Sequence, residues 1–172
     1  MKRTVLTIGI LIFLTGALFP DTMMVAVFYE QENGPAAETK NTLAFALEGG
    51  VMDHLFEQGH IVFNAGQREN NSINSRSNSD NTIPLYLAKS GGAGFLLNIY
   101  LDYLDIGNEK PKWEVSSARY SLMNVYTNEI LAEGKIKMRN PYEEEKSAER
   151  QSFELGKRLA QEVLSGRKAV LQ

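Results

Sequence analysis

The two histidines of the chain, His54 and His60, are the first residues to consider for chemistry. Two histidines four residues apart on one helix face can hold a zinc ion, and a zinc site needs further ligands beside them. These two are six residues apart, Gly59 lies between them, and no HExxH pattern or third ligand of suitable spacing is present. We therefore interpret His54 as a partly buried helix residue and His60 as a polar residue at the start of a strand, and we expect no metal and no cofactor.

Four carboxylates are the other candidates for catalysis, because a pair facing each other across a cleft can cleave a glycosidic bond. Asp102 and Asp105 lie on one predicted strand, where their odd spacing directs them to opposite faces. Asp53 and Glu57 are one turn apart on a helix face that the pattern predicts to be solvated. A small envelope hydrolase using Asp53, His54 or Asp102 is the alternative hypothesis, and it requires these groups to converge in a concave pocket.

Nucleophilic and phosphate-binding chemistry has less support. The chain has no cysteine, and it has no G-x-S-x-G turn. The segment Gly91-Gly92-Ala93-Gly94 has the composition of a phosphate-cradling loop, but it precedes a predicted strand, whereas such a loop follows a strand and opens a helix. We interpret it as a helix stop and a tight turn into a strand. It lends slight support to a third hypothesis, a small-ligand carrier, which would need an apolar cavity.

Four aromatic residues are candidates for partner binding: Tyr100, Trp113, Tyr120 and Tyr126. They belong to neighbouring predicted strands, where alternation must turn some of them outward. Aromatic side chains on a sheet face or edge suit protein recognition, since they bring a large contact area at low entropic cost. The alternative is that they pack beneath the C-terminal helix, and the sequence leaves both interpretations open.

Hydrophobic patterning predicts an α/β fold of mixed α+β type, with the order β-α-β-α-β-β-β-α and a mixed sheet of about five strands covered by helices. A continuous apolar run over 23–29 predicts a strand buried on both faces. The helix that follows carries the pair Gly49-Gly50, which costs roughly 1 kcal/mol per residue relative to alanine. Close packing against the sheet or a partner is the expected compensation. A short strand over 61–63 then completes a right-handed β-α-β unit with parallel strands.

The rest of the chain follows the same logic. Residues 67–82 contain one apolar residue among Asn, Ser and charges, which predicts a long mobile loop. Alternation over Trp113–Tyr126 changes its inward set, which predicts a bulge, and Asn128 suits a turn that needs positive φ. The remaining predicted elements are a helix over 83–90, strands over 95–106 and 129–138, and a C-terminal helix. That helix is predicted to begin at Pro141, with the acidic run 143–145 in its first turn. It is predicted to run to about Leu164 and to be closed by Ser165-Gly166.

The N-terminus predicts export. Lys2 and Arg3 precede an apolar run from Val5 to Phe19, which is shorter than the roughly 20 residues that span a bilayer. We predict a signal peptide over 1–22, or an uncleaved N-terminal anchor because the cleavage site is poor, and then one α/β domain over 23–166 and a C-terminal tail over 167–172. The absence of cysteine excludes a lipid-modified cysteine and disulfides, and it favours a bacterial periplasm. The net charge of −3, with scattered basic residues, argues against nucleic-acid binding.

Three stretches carry a family resemblance: EGGVMDHLFEQGHIVFNA, AKSGGAGFLLNIYLDY and YSLMNVYTNEILAEGKI. In them the chain resembles the small periplasmic α/β domain shared by the lipoprotein activators of penicillin-binding proteins, the curli-secretion lipoprotein and the N-terminal domain of TolB. It departs from that group in lacking the lipobox cysteine and in having Asn128 at the turn glycine. The resemblance implies a non-enzymatic domain that docks onto protein partners in the cell envelope. Peptidoglycan synthesis, a secretion channel and periplasmic flagellar machinery are the hosts that we expect.

Overall fold

The computed structural model describes residues 21–30, 35–65, 68–70, 82–107, 112–138 and 147–170. They form a mixed α/β domain in the predicted order, with one additional short strand. Within these ranges, no helix is both long and apolar enough to cross a membrane. The elements are β1 (Thr22–Glu30), α1 (Ala37–Glu57), β2 (Ile61–Asn64), β3 (Arg68–Asn70), α2 (Thr82–Ser90), β4 (Phe95–Asp105), β5 (Trp113–Asn124), β6 (Ile130–Lys137) and α3 (Ala148–Val170).

The sheet has the strand order β2-β1-β4-β5-β6, and β3 pairs with β1 beyond the end of β2. β1 runs parallel to β2, β3 and β4, whereas β4, β5 and β6 form an antiparallel meander. The predicted parallel β-α-β unit is therefore present. β1 is the central parallel strand, and all side chains from Met23 to Tyr29 are buried, as expected for a continuous apolar run covered on both faces.

The main core lies between the sheet and the helix pair α1 and α3. Both helices press apolar stripes onto the sheet, and they also pack tightly against each other. A Cβ on Gly50 would lie 2.0 Å from the carbonyl oxygen of Phe153, and a Cβ on Gly156 would lie 2.1 Å from the carbonyl oxygen of Leu47. Gly50 thus allows close approach of the α3 backbone, rather than of the sheet or a partner as expected from the sequence. Gly49 only touches the Phe153 ring, at 3.8 Å.

The described helices cover only half of the second face of the sheet. A smaller apolar cluster, which includes Met24, Ala26 and Leu96, lies beneath α2 at the start of β1 and β4. Of the described helices, α2 alone packs on this face. The half of the face nearer the ends of β1 and β4 is polar, and we call it the open face, defined by Tyr100, Asp102, Ser117, Arg119 and Lys135.

Three boundaries differ from the sequence prediction. The predicted mobile loop over 67–82 begins with β3, because Arg68–Asn70 finds the unpaired upper edge of β1. α3 continues through Ser165-Gly166 to Val170, because one glycine costs a helix only about 1 kcal/mol. Gly166 lies against β6, where an added Cβ would be 3.5 Å from the Cβ of Ala132. The tail predicted over 167–172 is therefore helical as far as Val170. Residues 71–81, the acidic run 143–145 and most of the predicted signal lie outside the described residues.

α3 begins at Ala148, whereas the sequence predicted a start at Pro141, which lies outside the described residues. Three other local predictions are confirmed. Gly59 ends α1 with φ of 86°, and Asn128 takes φ of 60° in the β5–β6 turn. The predicted bulge in β5 is also present: Asp102 pairs with Ser117 and Tyr103 with Val115, so Ser116 is the extra residue. Because of this bulge, Val115 and Ala118 both reach the main core, although a regular strand would direct them to opposite faces.

Candidate functional site

The histidines lie at opposite ends of the α1–β2 connection. His54 Nδ1 is 3.8 Å from Glu57 one turn further along α1, and His60 Nδ1 is 3.7 Å from Asp21. Each histidine therefore has its own local carboxylate, and their environments are separate. Across the part of the chain that the structure describes, no group of three or more His, Asp or Glu side chains is placed to hold a metal ion.

The α1 carboxylates contact the terminal helix. Lys157 of α3 places its Nζ 2.6 Å from Asp53 and 3.4 Å from Glu57, so both acids bridge the two helices. Hydrogen bonding to Asp53, followed by that to Glu57, raises the pKa of Lys157. Asp53 and Glu57, which the sequence predicted to lie on a solvated face, therefore both bind the ammonium group of Lys157. This geometry stabilises a helix contact and does not form a cleft.

Asp102 and Asp105 point to opposite faces of β4, as their spacing predicts. Asp105 Oδ1 accepts hydrogen bonds from the backbone N–H groups of Gly107 and Lys112, both at 2.9 Å, and so fixes the β4–β5 connection. Asp102 instead lies on the open face. Asp53, His54 and Asp102 do not converge: the first two are on α1, on the opposite side of the sheet from Asp102. The hydrolase hypothesis built on these three residues is therefore wrong.

Asp102 is the centre of a polar network on the open face. Its Oδ2 accepts a hydrogen bond of 2.6 Å from Ser117 and one of 2.9 Å from Lys135 Nζ, and its Oδ1 is 3.5 Å from an Arg119 nitrogen. Partial burial alone would raise the pKa of Asp102, but these hydrogen bonds and the charges of Lys135 and Arg119 hold that pKa below its usual value. The carboxylate is therefore charged at neutral pH, and it fixes two cations whose side chains remain about half exposed.

Replacing Asp102 with asparagine is expected to lower the free energy of unfolding by about 1 kcal/mol at pH 7, since partly exposed charge networks contribute in that range. Because the folded pKa is below the usual 3.8, the stabilisation is complete at neutral pH and is lost as pH falls through the folded pKa. Urea denaturation at pH 7 and pH 2 measures the loss of stability in the variant and its dependence on pH. The gap between wild type and Asp102→Asn should close at the lower pH, while Glu154→Gln, an exposed change on α3 and away from the open face, should leave stability unchanged at pH 7.

Tyr100 adds an aromatic platform to the open face. Its ring stacks on the buried ring of Phe28 with a centroid distance of 5.0 Å and an interplanar angle of 16°. The guanidinium of Arg119 lies 5.8 Å from the centroid of the same ring. Tyr100 and Arg119 face each other across the β4–β5 pair, so stacking holds the cation in place from one side and Asp102 holds it from the other.

The other three aromatic candidates lie elsewhere. Tyr120 points to the helix side, where its ring covers Gly134 and its hydroxyl donates to Glu162 of α3 at 3.3 Å. Burial, together with Glu162, raises the pKa of Tyr120 to about 12. Trp113 is half-buried at the start of β5, and Tyr126 is 71% exposed in the β5–β6 turn. The four residues therefore do not form one surface, and Tyr100 alone belongs to the open face.

The segment Gly91-Gly92-Ala93-Gly94 after α2 forms a turn that ends the helix and leads into β4. Gly92 takes φ of 73°, and the Gly94 N–H donates to Thr22 at 2.8 Å while its carbonyl accepts from Val125 at 3.0 Å. A Cβ on Gly91 would lie 2.8 Å from the ring of Phe63. These contacts join the end of α2 to β1, β2 and β5, in agreement with the interpretation as a helix stop and strand start.

Sequence reasoning did not select Ser117, Arg119 or Lys135 for the site. A signal for them exists in β5, where Ser117, Arg119 and Ser121 alternate with Ala118, Tyr120 and Leu122. This alternation predicts one polar face, but it does not show that α2 leaves that face open. The Lys135 contact depends on the register of β6 against β5, in which Lys135 pairs with Arg119.

Comparison with known proteins places this architecture among known folds. No protein-family model matches the sequence, and no curated protein matches it. Among solved structures, the PelC dodecamer from Paraburkholderia phytofirmans is 13% identical, with 86% of this chain and 87% of that chain covered and a TM-score of 0.52. The chain shares the fold of PelC.

Two of the groups in the predicted resemblance also appear among the matches. TolB from Acinetobacter baumannii is 10% identical, with 88% of this chain and 29% of that chain covered and a TM-score of 0.42. The LpoB C-terminal domain from Salmonella enterica is 20% identical, with 70% and 83% covered and a TM-score of 0.32. The resemblance is confirmed as one of fold.

Proposed function

We propose that the chain is a non-enzymatic, exported interaction protein that docks onto an assembly of the cell envelope. The observation that carries the proposal is the open face, a half-sheet that the described helices leave uncovered and that presents an aromatic ring and two held cations. Protein interfaces are enriched in tyrosine and arginine, because both offer large contact area with little loss of conformational freedom. Tyr100 and Arg119 supply this pair here.

The charge of the open face defines the partner that fits it. Arg119 and Lys135 project on either side of Asp102, and the carboxylate neutralises only one of the two cations. The group formed by Asp102, Arg119 and Lys135 therefore has a positive surplus, although the exposed Glu133 follows on the same face of β6. We expect an acidic protein surface to bind at Arg119 and Lys135. An Arg119 that is already stacked on Tyr100 loses little side-chain entropy when a partner carboxylate binds it.

Two further observations support an envelope role. The apolar N-terminal run fits export, and membrane contact would follow only if that segment is uncleaved. PelC, which shares the fold, forms a dodecamer, so this architecture can serve as a unit of a larger assembly. Peptidoglycan synthesis, secretion and periplasmic flagellar machinery are the assemblies in which we expect the partner, with periplasmic localisation and no cofactor or nucleic acid.

Crosslinking in intact cells tests the proposal. A photoreactive amino acid at position 119, on the open face, should crosslink to one defined envelope protein, and the tagged chain should copurify with that protein in a larger complex. The same amino acid at position 154, an exposed site on α3, is the control and should not give that product. A chain recovered only as a monomer after gentle crosslinking, or only crosslinked to a second copy of itself, would contradict the proposal.

Removing the two cations should separate binding from folding. Arg119→Gln combined with Lys135→Gln is expected to weaken binding of the purified partner at least about tenfold, because an interfacial cation pair has this order of effect. Arg150→Gln combined with Lys89→Gln removes the same charge from exposed helix positions and is the matched control. Circular dichroism checks the fold of both variants, and equal affinity in the two would show that the partner does not use the open face.

A further inference from the structure

A cavity of about 170 Å³ lies where β4, β5 and β6 approach their common end. Its apolar lining comes from Leu104, Ile106, Val115 and Met138, and Ser116, Lys137 and Glu114 complete it. An apolar cavity of about 150 Å³ accepts a benzene-sized molecule, so this one has room for a ligand or side chain of similar size. The proposed docking function does not use this cavity, whereas the small-ligand carrier considered from the sequence would need one.

The carboxylate of Glu114 is the unusual group in this lining. The residue is 2% exposed, and among the described residues neither carboxylate oxygen has a hydrogen-bond partner. Lys112 places its Nζ 4.0 Å from Oε1, but the Lys112 side chain is itself 58% exposed. A buried carboxylate without donors costs more than the typical net gain of a hydrogen bond, and such a group either takes up a proton or binds a partner that supplies the missing donors.

The surroundings of Glu114 restrict the class of that partner. Burial raises the pKa of Glu114 and Lys112 only partly opposes this, so a second cation close to the carboxylate would be stabilising. A metal ion would need several oxygen ligands, whereas this lining offers one carboxylate in an otherwise mainly apolar wall. An organic cation fits both the carboxylate and the apolar wall. Its charged end can donate hydrogen bonds to Glu114, and its hydrocarbon part can fill the cavity.

We infer that the cavity binds a primary ammonium group on a short aliphatic stem, with Glu114 as the residue that receives the charge. An ammonium group has three N–H donors, which can form hydrogen bonds with the two carboxylate oxygens of Glu114. Two sources have this chemistry, namely a free alkylamine and a lysine side chain presented by another protein. The inference does not depend on the proposed docking function, since it concerns the purified chain alone.

Titration of the folded protein with n-butylammonium, followed by NMR shifts of the methyl groups of Leu104, Ile106 and Met138, tests the inference. Saturable binding with a dissociation constant below about 10 mM is expected, which is a realistic affinity for a fragment of this size. n-Butanol, which has the same length and no charge, should bind at least about tenfold more weakly. Nα-acetyl-lysine methylamide distinguishes a lysine side chain of another protein from a free alkylamine. If it binds about as tightly as butylammonium, a protein lysine is supported. If it does not bind in the cavity, a free amine is supported.

Two variants make the result decisive. Glu114→Gln keeps the size of the side chain and should weaken butylammonium binding at least about tenfold without unfolding the chain. Glu133→Gln changes an exposed β6 carboxylate and should bind as wild type does. The inference is overturned if butylammonium does not bind the wild type, if n-butanol binds equally well, or if Glu114→Gln binds with unchanged affinity.

Discussion

Replacing Gly50 with alanine is expected to lower the free energy of unfolding by about 2–3 kcal/mol, as overpacking a tight helix contact does. The added Cβ would lie 2.0 Å from the carbonyl oxygen of Phe153 and 2.8 Å from its carbonyl carbon. These are backbone atoms, so no rotamer change can relieve the overlap, and α1 must move away from α3. The separation would also disturb the apolar stripes that both helices press onto the sheet.

The neighbouring glycine provides the control. At Gly49 a Cβ meets only the Phe153 ring at 3.8 Å, an ordinary contact, so Gly49→Ala should stabilise the chain by up to about 1 kcal/mol through helix propensity. Gly156→Ala should resemble Gly50→Ala, because its Cβ would lie 2.1 Å from the carbonyl oxygen of Leu47. Urea denaturation of the three variants measures the differences. Equal stability of Gly49→Ala and Gly50→Ala would show that the helices are not in this close contact.

Replacing Glu48 with glutamine is expected to raise stability at neutral pH and to remove part of the pH dependence of unfolding. Glu48 is 2% exposed on α1, and its Oε2 accepts one long hydrogen bond, 3.5 Å, from Asn64. Its Oε1 has no hydrogen-bond partner among the residues that the structure describes. Burial therefore raises the pKa of Glu48, and the Asn64 contact lowers it only in part. The protonated side chain is favoured in the folded state.

The sign of the effect follows from proton binding. With a folded pKa above the ordinary 4.5, the folded state holds a proton that the unfolded state has released. The wild type is therefore most favoured below pH 4.5 and loses stability as pH rises toward the folded pKa, with a slope of at most about 1.4 kcal/mol per pH unit. Glu48→Gln cannot ionise and lacks this loss.

Denaturant unfolding at pH 5 and pH 7.5 compares the variants. The difference in stability between the two pH values should be smaller in Glu48→Gln than in the wild type. Glu154→Gln, an exposed change on α3, should leave that difference as it is in the wild type. If Glu48→Gln unfolds with the same pH dependence as the wild type, then the Glu48 carboxyl is solvated or paired in solution.

The sequence predicted the elements whose cause is local. The apolar run of β1, the odd spacing of Asp102 and Asp105, and the positive φ of Asn128 each follow from a few neighbouring residues, and the structure confirms them. The change in alternation along β5 predicted its bulge for the same reason. The fold class followed because these local patterns occur in an order that few architectures accommodate.

The features that the sequence did not predict depend on contacts between distant segments. Lys157 lies about 100 positions from the acids it bridges, and nothing near Asp53 indicates that a cation from α3 will reach it. The open face required knowledge that the short helix α2 covers only half of the sheet. The buried state of Glu114 is likewise invisible in a polar-looking stretch, because it results from the way three strand ends meet.

The close contact between α1 and α3 at Gly50 and Gly156, on one side of the sheet, also affects the open face on the other side. Because α3 is locked to α1 and packs on β5 and β6, the strands that carry Arg119, Ser117 and Lys135 are held from behind. The open face is therefore preorganised: its cations are already placed before any partner arrives, and little backbone order remains to be imposed on binding. For the proposed partner we therefore expect a rigid-body encounter, in which affinity is set by fit and charge and not by folding of the receptor.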